Sequence, residues 1–242
     1  MRLSRLYAPG EVQLAQVQFA SAIAGAWQAH PPAALFDSLT QWLAEQAKTR
    51  GLQLHAWSLT PHALRLLVTP PDAHALSAVV QALGRRLAAT LRAGGVFAGR
   101  YKSALVAPEM ALKAQVWVES APDRDGCASH AVDWAWSSAA IHTGVAAPAR
   151  PWAMPLVDHP AYWGCGNTPF DRQAAYQSRL VTGLSAMERD QIDAAVNGQW
   201  ALGPDSYLNK LEKLASRRAS PGKRGRPPKN AATTRADPSL IN

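Results

Sequence analysis

Cysteine is scarce: Cys127 and Cys165 are the only two in 242 residues, with no C-x-x-C pair. No histidine stands at zinc-finger spacing from either. That sets aside a disulfide framework and a cysteine-based zinc site, and two free thiols in a reducing compartment are expected. Long apolar runs are missing too. None could span a bilayer and no signal-peptide core is present, so the expectation is a soluble, cytoplasmic chain without a membrane partner. No internal repeat is visible, which argues against a solenoid.

What is present is enough apolar material, 48% of the chain, to fill a globular core. The formal charge of +8 is unevenly spread. From Ala215 onward seven Lys/Arg face one acid, which leaves 18 basic against 16 acidic residues elsewhere. The basic character is therefore largely a property of the tail, and such tails meet polyanions.

The chain is organised around residues 52–72. Two β-type runs, LQLHAWSL and ALRLLVT, flank the break Thr60-Pro61-His62, where proline interrupts pairing. Side chains alternate along a strand, so Leu64, Leu66 and Val68 share one face and Ala63, Arg65 and Leu67 the other. Around this hairpin the pattern predicts a strand over 12–20, an irregular Ala-rich stretch over 21–30, a helix over 32–50 and a helix over 72–93 opened by Asp72. A fourth strand is expected over 96–106. The order β-α-β-β-α-β is the ferredoxin-like plan: α+β, a four-stranded antiparallel sheet with helices on one face and the other face open.

Beyond the sheet, 108–120 is expected to be helical and 121–170 to be loop-rich and dense in Trp, Pro and Gly. Helices are predicted over 171–182, 185–197 and 204–218. The middle one opens with the capping-box spacing Ser185-x-x-Glu188. The chain thus divides into 1–120 (the sheet domain), 121–170 (loops packed on it), 171–218 (helical) and 219–242, whose Pro/Gly/Lys/Arg composition reads as disordered.

Several pieces resemble the REP-associated tyrosine transposases, relatives of the HUH single-strand transposases. Thr60-Pro-His-Ala-Leu-Arg-Leu-Leu-Val-Thr-Pro70 is similar to the signature M-P-N-H-V-H-L-L-V-T-P. Gln81–Arg86 resembles Q-S-L-G-R-R, Phe97–Ser103 resembles L-W-E-G-R-Y-K-S, and Trp136-Ser-Ser138 resembles W-S-S. Gly198–Gly203 and Lys223–Lys229 resemble G-x-P-L-G and R-G-R-P-R-K. The resemblance implies the ferredoxin-like fold, DNA as partner in the form of hairpin or single-stranded repeat ends, and a divalent metal, Mg²⁺ or Mn²⁺.

It also implies what is missing. The two histidines that bind the metal in that family correspond to Ala63 and Arg65. The family's nucleophile lies in R-Y-I-E-L-N-P-V-R-A-G, and the matching segment, Val116 to Gly126, puts Trp117 at the Tyr position. An indole is no nucleophile for phosphorus, and cleavage needs both a metal and an activated hydroxyl. The expectation is a transposase-like DNA-binding protein without catalytic residues, metal or other cofactor. A homodimer is left open.

The expected DNA contacts are the open sheet face with Arg65, an exposed position that could clamp a phosphate, together with Arg85, Arg86, Arg100, Tyr101, Lys102 and the tail residues Lys223, Arg224, Gly225, Arg226 and Lys229. In the tail, Arg224-Gly-Arg-Pro227 is AT-hook-like: two Arg side chains suit a narrow A·T minor groove. Two rivals stand beside this reading. One is an active metal-dependent enzyme with shifted ligands such as His55 and His62, or with Tyr101 as nucleophile. The other is an RNA-binding module on the open sheet face.

Overall fold

The computed structural model describes residues 5–146 and 151–221. The disordered tail expected over 219–242 lies outside these residues from 222 onward, as does its AT-hook-like motif. Four strands, β1 (Val12–Gln18), β2 (Gln53–Leu59), β3 (Ala63–Thr69) and β4 (Lys102–Val106), form one antiparallel sheet in the order β2-β3-β1-β4. The helices are α1 (Ser21–Ala29), α2 (Ala33–Thr49), α3 (Ala75–Leu91), α4 (Ala111–Glu119), α5 (Ala121–Arg124), α6 (Ala139–Thr143), α7 (Pro160–Trp163), α8 (Pro169–Thr182), α9 (Ala186–Gly198) and α10 (Asp205–Leu214). The β-α-β-β-α-β order and the α+β class are as expected, with α1 as an addition.

Alternation sets the two faces. Ala15, Val17, Leu64, Leu66, Val68, Trp57 and Leu59 pack with Phe36, Leu39, Leu43, Leu76, Val79, Leu83 and Leu87 of α2 and α3. Arg65 pairs with Gln16 and Ser58, on the opposite face. The register read from the sequence therefore holds, and β3 lies inside the sheet.

The opposite face is not open, which corrects the expectation. Val12, Leu14, Ala56, Leu67, Ala104 and Val106 are covered by Ala114, Trp117 and Val118 of α4 and by Ile192, Ala195 and Val196 of α9. A sheet face this apolar cannot stay in water, since each buried aliphatic side chain is worth about 1.5–3 kcal/mol. Two other differences have local causes. Residues 21–29 are helical because alanine is the best helix former and because Trp27 anchors the turn edge-on between Phe19 and Phe36, at 4.7 and 5.4 Å. The fourth strand starts at Lys102 rather than Val96. Before it, Phe97 makes a lone bridge to Phe19 and Gly99 turns the backbone at φ +148°.

Both sheet edges are covered. Ser137 bridges Ser58 and Leu156 bridges Leu54 along β2, while Leu202 donates to Leu105 and accepts from Ala107 along β4. Exposed edges are templates for unwanted pairing, so this coverage matters for solubility. The expected helix over 204–218 ends at Leu214. The chain then turns back, with Ser216 N–H donating to Tyr7 O and Ala219 O accepting from Ala201 N–H. Ala219 is buried, so 219–221 belongs to the folded body rather than to a loose tail. The capping box at Ser185 and Glu188 forms as expected.

The closed second face has a thermodynamic signature. Leu67→Ala should lower stability by about 2–5 kcal/mol, the cost of a cavity in a packed core. On a face in contact with water the same change would stay within about 0.5 kcal/mol. Chemical denaturation midpoints separate the two.

Candidate nucleic-acid interface and the closed catalytic position

The place where the resembled motif carries its metal ligands is filled from within. Ala63 is wholly buried and offers no donor atom, and Arg65 is only 7% exposed. The Arg65 guanidinium grips Asp125 with both ends, Nη1 to Oδ2 at 2.9 Å and Nη2 to Oδ1 at 3.3 Å. Thr60 supports the pair: its hydroxyl donates to Asp125 Oδ2 at 2.7 Å and accepts from the Ala63 amide. The exposed, phosphate-clamping Arg65 expected from the sequence is thus corrected. A guanidinium set in a sheet face under helices needs a carboxylate close by, because an unpaired buried charge is costly. In the motif that Val116–Gly126 resembles, the position of Asp125 is an alanine, so the cation and its counter-ion appear together here.

Trp117, at the Tyr position, is 2% exposed and donates its indole N–H to Asp193 Oδ1 of α9 at 3.0 Å. The guanidiniums of Arg65 and Arg124 lie over its ring, 5.6 and 5.3 Å from the centroid. Arg124 also donates to Trp117 O at 2.8 Å. Burial, with Arg65 adding repulsion, brings the Arg124 guanidinium down to about 10. Ala63, Arg65 and Trp117 themselves offer neither a metal-ligating atom nor a hydroxyl at these three positions.

The shifted-ligand alternative finds little support. Both ring nitrogens of His55 are engaged, Nδ1 with Val157 O at 2.7 Å and Nε2 with Thr69 Oγ1 at 2.9 Å. Among the described residues no group of three or more His, Cys, Asp or Glu is placed to hold a metal ion. Tyr101 is buried, and burial raises its hydroxyl above the ordinary range, away from a nucleophilic phenolate. The premise of the RNA-binding alternative, an open sheet face, is gone.

The remaining expected contacts scatter. Arg86 turns toward α2, where it pairs with Glu45 at 2.6 Å and lies over Trp42. Lys102 donates to Asn197 Oδ1 at 2.7 Å. Arg85 and Arg100 are exposed, and Tyr101 carries the Arg5 guanidinium 3.7 Å from its ring centre. Residues Lys223 to Lys229 fall outside the described part of the chain. The sequence reading missed Arg5, and it missed Asp125 and Asp193 as partners.

Other shared motif pieces have structural duties. A Cβ on Gly84 would come 2.8 Å from the Phe97 ring, so glycine lets that ring pack on α3. Ser138 ties the Trp136-Ser-Ser138 turn to β2 by accepting from Trp57 N–H and donating to buried Glu119. Glu119 also accepts from Tyr176 at 2.7 Å and meets His142 Nδ1 at 2.5 Å. Burial alone would pull His142 down, but the Glu119 carboxylate beside it holds it up to about 9. This cluster is buried and joins α4, α6 and α8, with the partly exposed Asp158 3.7 Å from His142 Nε2.

The chain matches no protein-family model and no curated protein. Among solved structures it is similar to one described as a REP-associated tyrosine transposase bound to a REP hairpin. The two superpose with a TM-score of 0.50 at 14% sequence identity, covering 66% of this chain and 96% of that one. What they share is the fold. The covered part of the other chain is nearly whole, so the extra third of this chain is additional to that fold.

Two measurements test the site. Arg65→Ala and Asp125→Ala should each cost about 3 kcal/mol or more by stranding a buried charge, whereas Arg65→Met with Asp125→Leu should cost clearly less than the sum. Equal and additive losses in denaturation would deny the coupling. For His142 the folded value of about 9 lies above the unfolded value near 6.5. Its contribution is therefore full below about pH 6.5 and lost as pH rises through 9. Stability should fall over that window in the parent, and this fall should be absent in His142→Asn.

Proposed function

We propose that this chain is a transposase-like DNA-binding protein that holds hairpin or single-stranded repeat ends without cutting them. The observation that carries the reading is the internal ion pair of Arg65 with Asp125, which stands, with Trp117 alongside, where cleavage chemistry would need a metal and a hydroxyl. The fold likeness to a transposase that binds a hairpin supports DNA as the partner. With the sheet faces covered, the contact surface shifts to the exposed Arg85 and Arg100 and the half-buried Lys102, and to the basic tail with Lys223, Arg224, Gly225, Arg226 and Lys229. Arg65 leaves the contact set, and Arg86 is partly neutralised by Glu45.

An electrophoretic mobility panel of hairpin DNA, blunt duplex and RNA, each with and without Mg²⁺ or Mn²⁺, tests this. The hairpin should be shifted equally with and without metal, RNA should be shifted less, and no strand should be nicked. A protein–DNA adduct that survives boiling in detergent would show a working nucleophile and end the non-cutting reading.

A further inference from the structure

The cavity that best matches an unassigned ligand lies between α3 and the segment leading into β4. It encloses about 380 Å³ and is lined by Arg5, Ser77, Val80, Gln81, Gly84, Phe97, Gly99, Arg100 and Tyr101. A larger hollow of about 470 Å³ under α4 and α8 is a poorer candidate, since its Lys113 is already paired with Glu188 at 3.0 Å.

Three observations point to an anionic ligand in the smaller cleft. First, Arg5 and Arg100 repel one another and no carboxylate of the described residues registers on Arg5, whose guanidinium burial already pulls below its usual range. Unpaired clustered cations are costly unless something negative visits. Second, among the described residues Arg5 Nε is buried with no hydrogen-bond partner. A buried donor left alone costs about 1–3 kcal/mol, and it is a donor in waiting for an oxygen. Third, the residue is held at both ends: the guanidinium carbon lies 3.7 Å from the centre of the Tyr101 ring, and the backbone carbonyl accepts from Ser216 Oγ at 2.9 Å. Pre-oriented guanidiniums of this kind suit phosphate oxygens.

The rest of the lining narrows the ligand. Phe97 and Val80 form an apolar wall, while Gln81 and Ser77 bring groups that both donate and accept. The volume sits at the small end of ligand pockets, about 300–1,000 Å³. It can take one nucleotide, with the base against the apolar wall, and it cannot admit a duplex. Arg85, one helical turn beyond Gln81 on α3 and exposed, stands on the same side of the helix for a neighbouring phosphate.

We propose that this cleft seats a single unpaired nucleotide of the bound DNA strand, its phosphate held by Arg5 and Arg100 and its base lodged between Phe97 and Gln81. The inference rests on the DNA-binding reading above and adds to it a place for unpaired bases. The same chemistry would recognise a free nucleotide, so the test includes one.

Fluorescence anisotropy on the full-length protein compares a blunt DNA hairpin with the same hairpin carrying a short single-stranded thymidine extension. Calorimetry with thymidine monophosphate runs beside it. The extension should tighten binding about tenfold or more, as charged hydrogen bonds to one phosphate imply. Arg5→Gln with Arg100→Gln should abolish that gain, while blunt-hairpin binding falls only by the share that Arg100 contributes to the contact surface. Because Arg5 packs on Tyr101, a second variant, Ser77→Trp, fills the cleft while leaving both guanidiniums in place, and it should abolish the gain as well. If both hairpins bind alike, or if the variants weaken both equally, the cleft proposal is wrong while DNA binding stands. If no DNA binds but thymidine monophosphate does, and the double variant loses it, the nucleotide cleft stands and the DNA-binding reading falls. If neither ligand binds, both fall.

Discussion

A guanidinium in the middle of a sheet, under two helices, dictates much of what surrounds it. Arg65 cannot be buried there unpaired, so Asp125 is brought in by the turn after α5, and Thr60 at the hairpin tip supplies the hydroxyl that orients the carboxylate. Trp117 then serves as the flat lid beneath two guanidiniums, with its own N–H satisfied by α9. Ion pairs of this depth seldom add net stability, because desolvation offsets their attraction. They do fix geometry: Arg65 with Asp125 and Trp117 with Asp193 tie α4, α5 and α9 together over the second sheet face.

The parts of the fold legible in the sequence were those governed by local period. The alternation of Leu64, Leu66 and Val68 against Ala63, Arg65 and Leu67 placed each residue on its correct face, and the stripe from Leu76 to Leu87 marked α3. Closure of the second face was not legible, although one sign of it was present: β1 carries apolar residues at Val12 and Leu14 as well as at Ala15 and Val17. Period shows which residues want covering, but not what covers them. The covering elements sit about a hundred and more residues further along, in α4 and α9, and only tertiary packing makes the assignment. Asp125 was illegible for the same reason. Its role depends on Arg65, sixty positions earlier.

The short motifs shared with the transposases are informative in a different way. Gly84 admits the Phe97 ring, Ser138 staples a turn to β2 and to Glu119, and Leu202 in the Gly198–Gly203 segment caps the sheet edge. These are residues that a chain must keep in order to keep the architecture. Their likeness therefore speaks for common construction, while the positions that speak for chemistry, Ala63, Arg65 and Trp117, are the ones that differ.

The stitch between Arg5, Tyr7 and Ser216 also bears on how the molecule assembles. Those contacts join residues about 210 positions apart. Closing so long a loop carries an entropy cost that only later contacts can offset. During synthesis the sheet, α2 and α3 can collapse early through near-neighbour pairings, and the N-terminal segment can meet Tyr101 and Leu105, but its stitch to Ser216 waits until α10 and the return to Ala219 have emerged. Long-range closures of this sort are slow relative to local ones. The stitch at Ser216 is therefore among the last contacts to close, and the surface around Arg5 is completed only once nearly the whole body has folded.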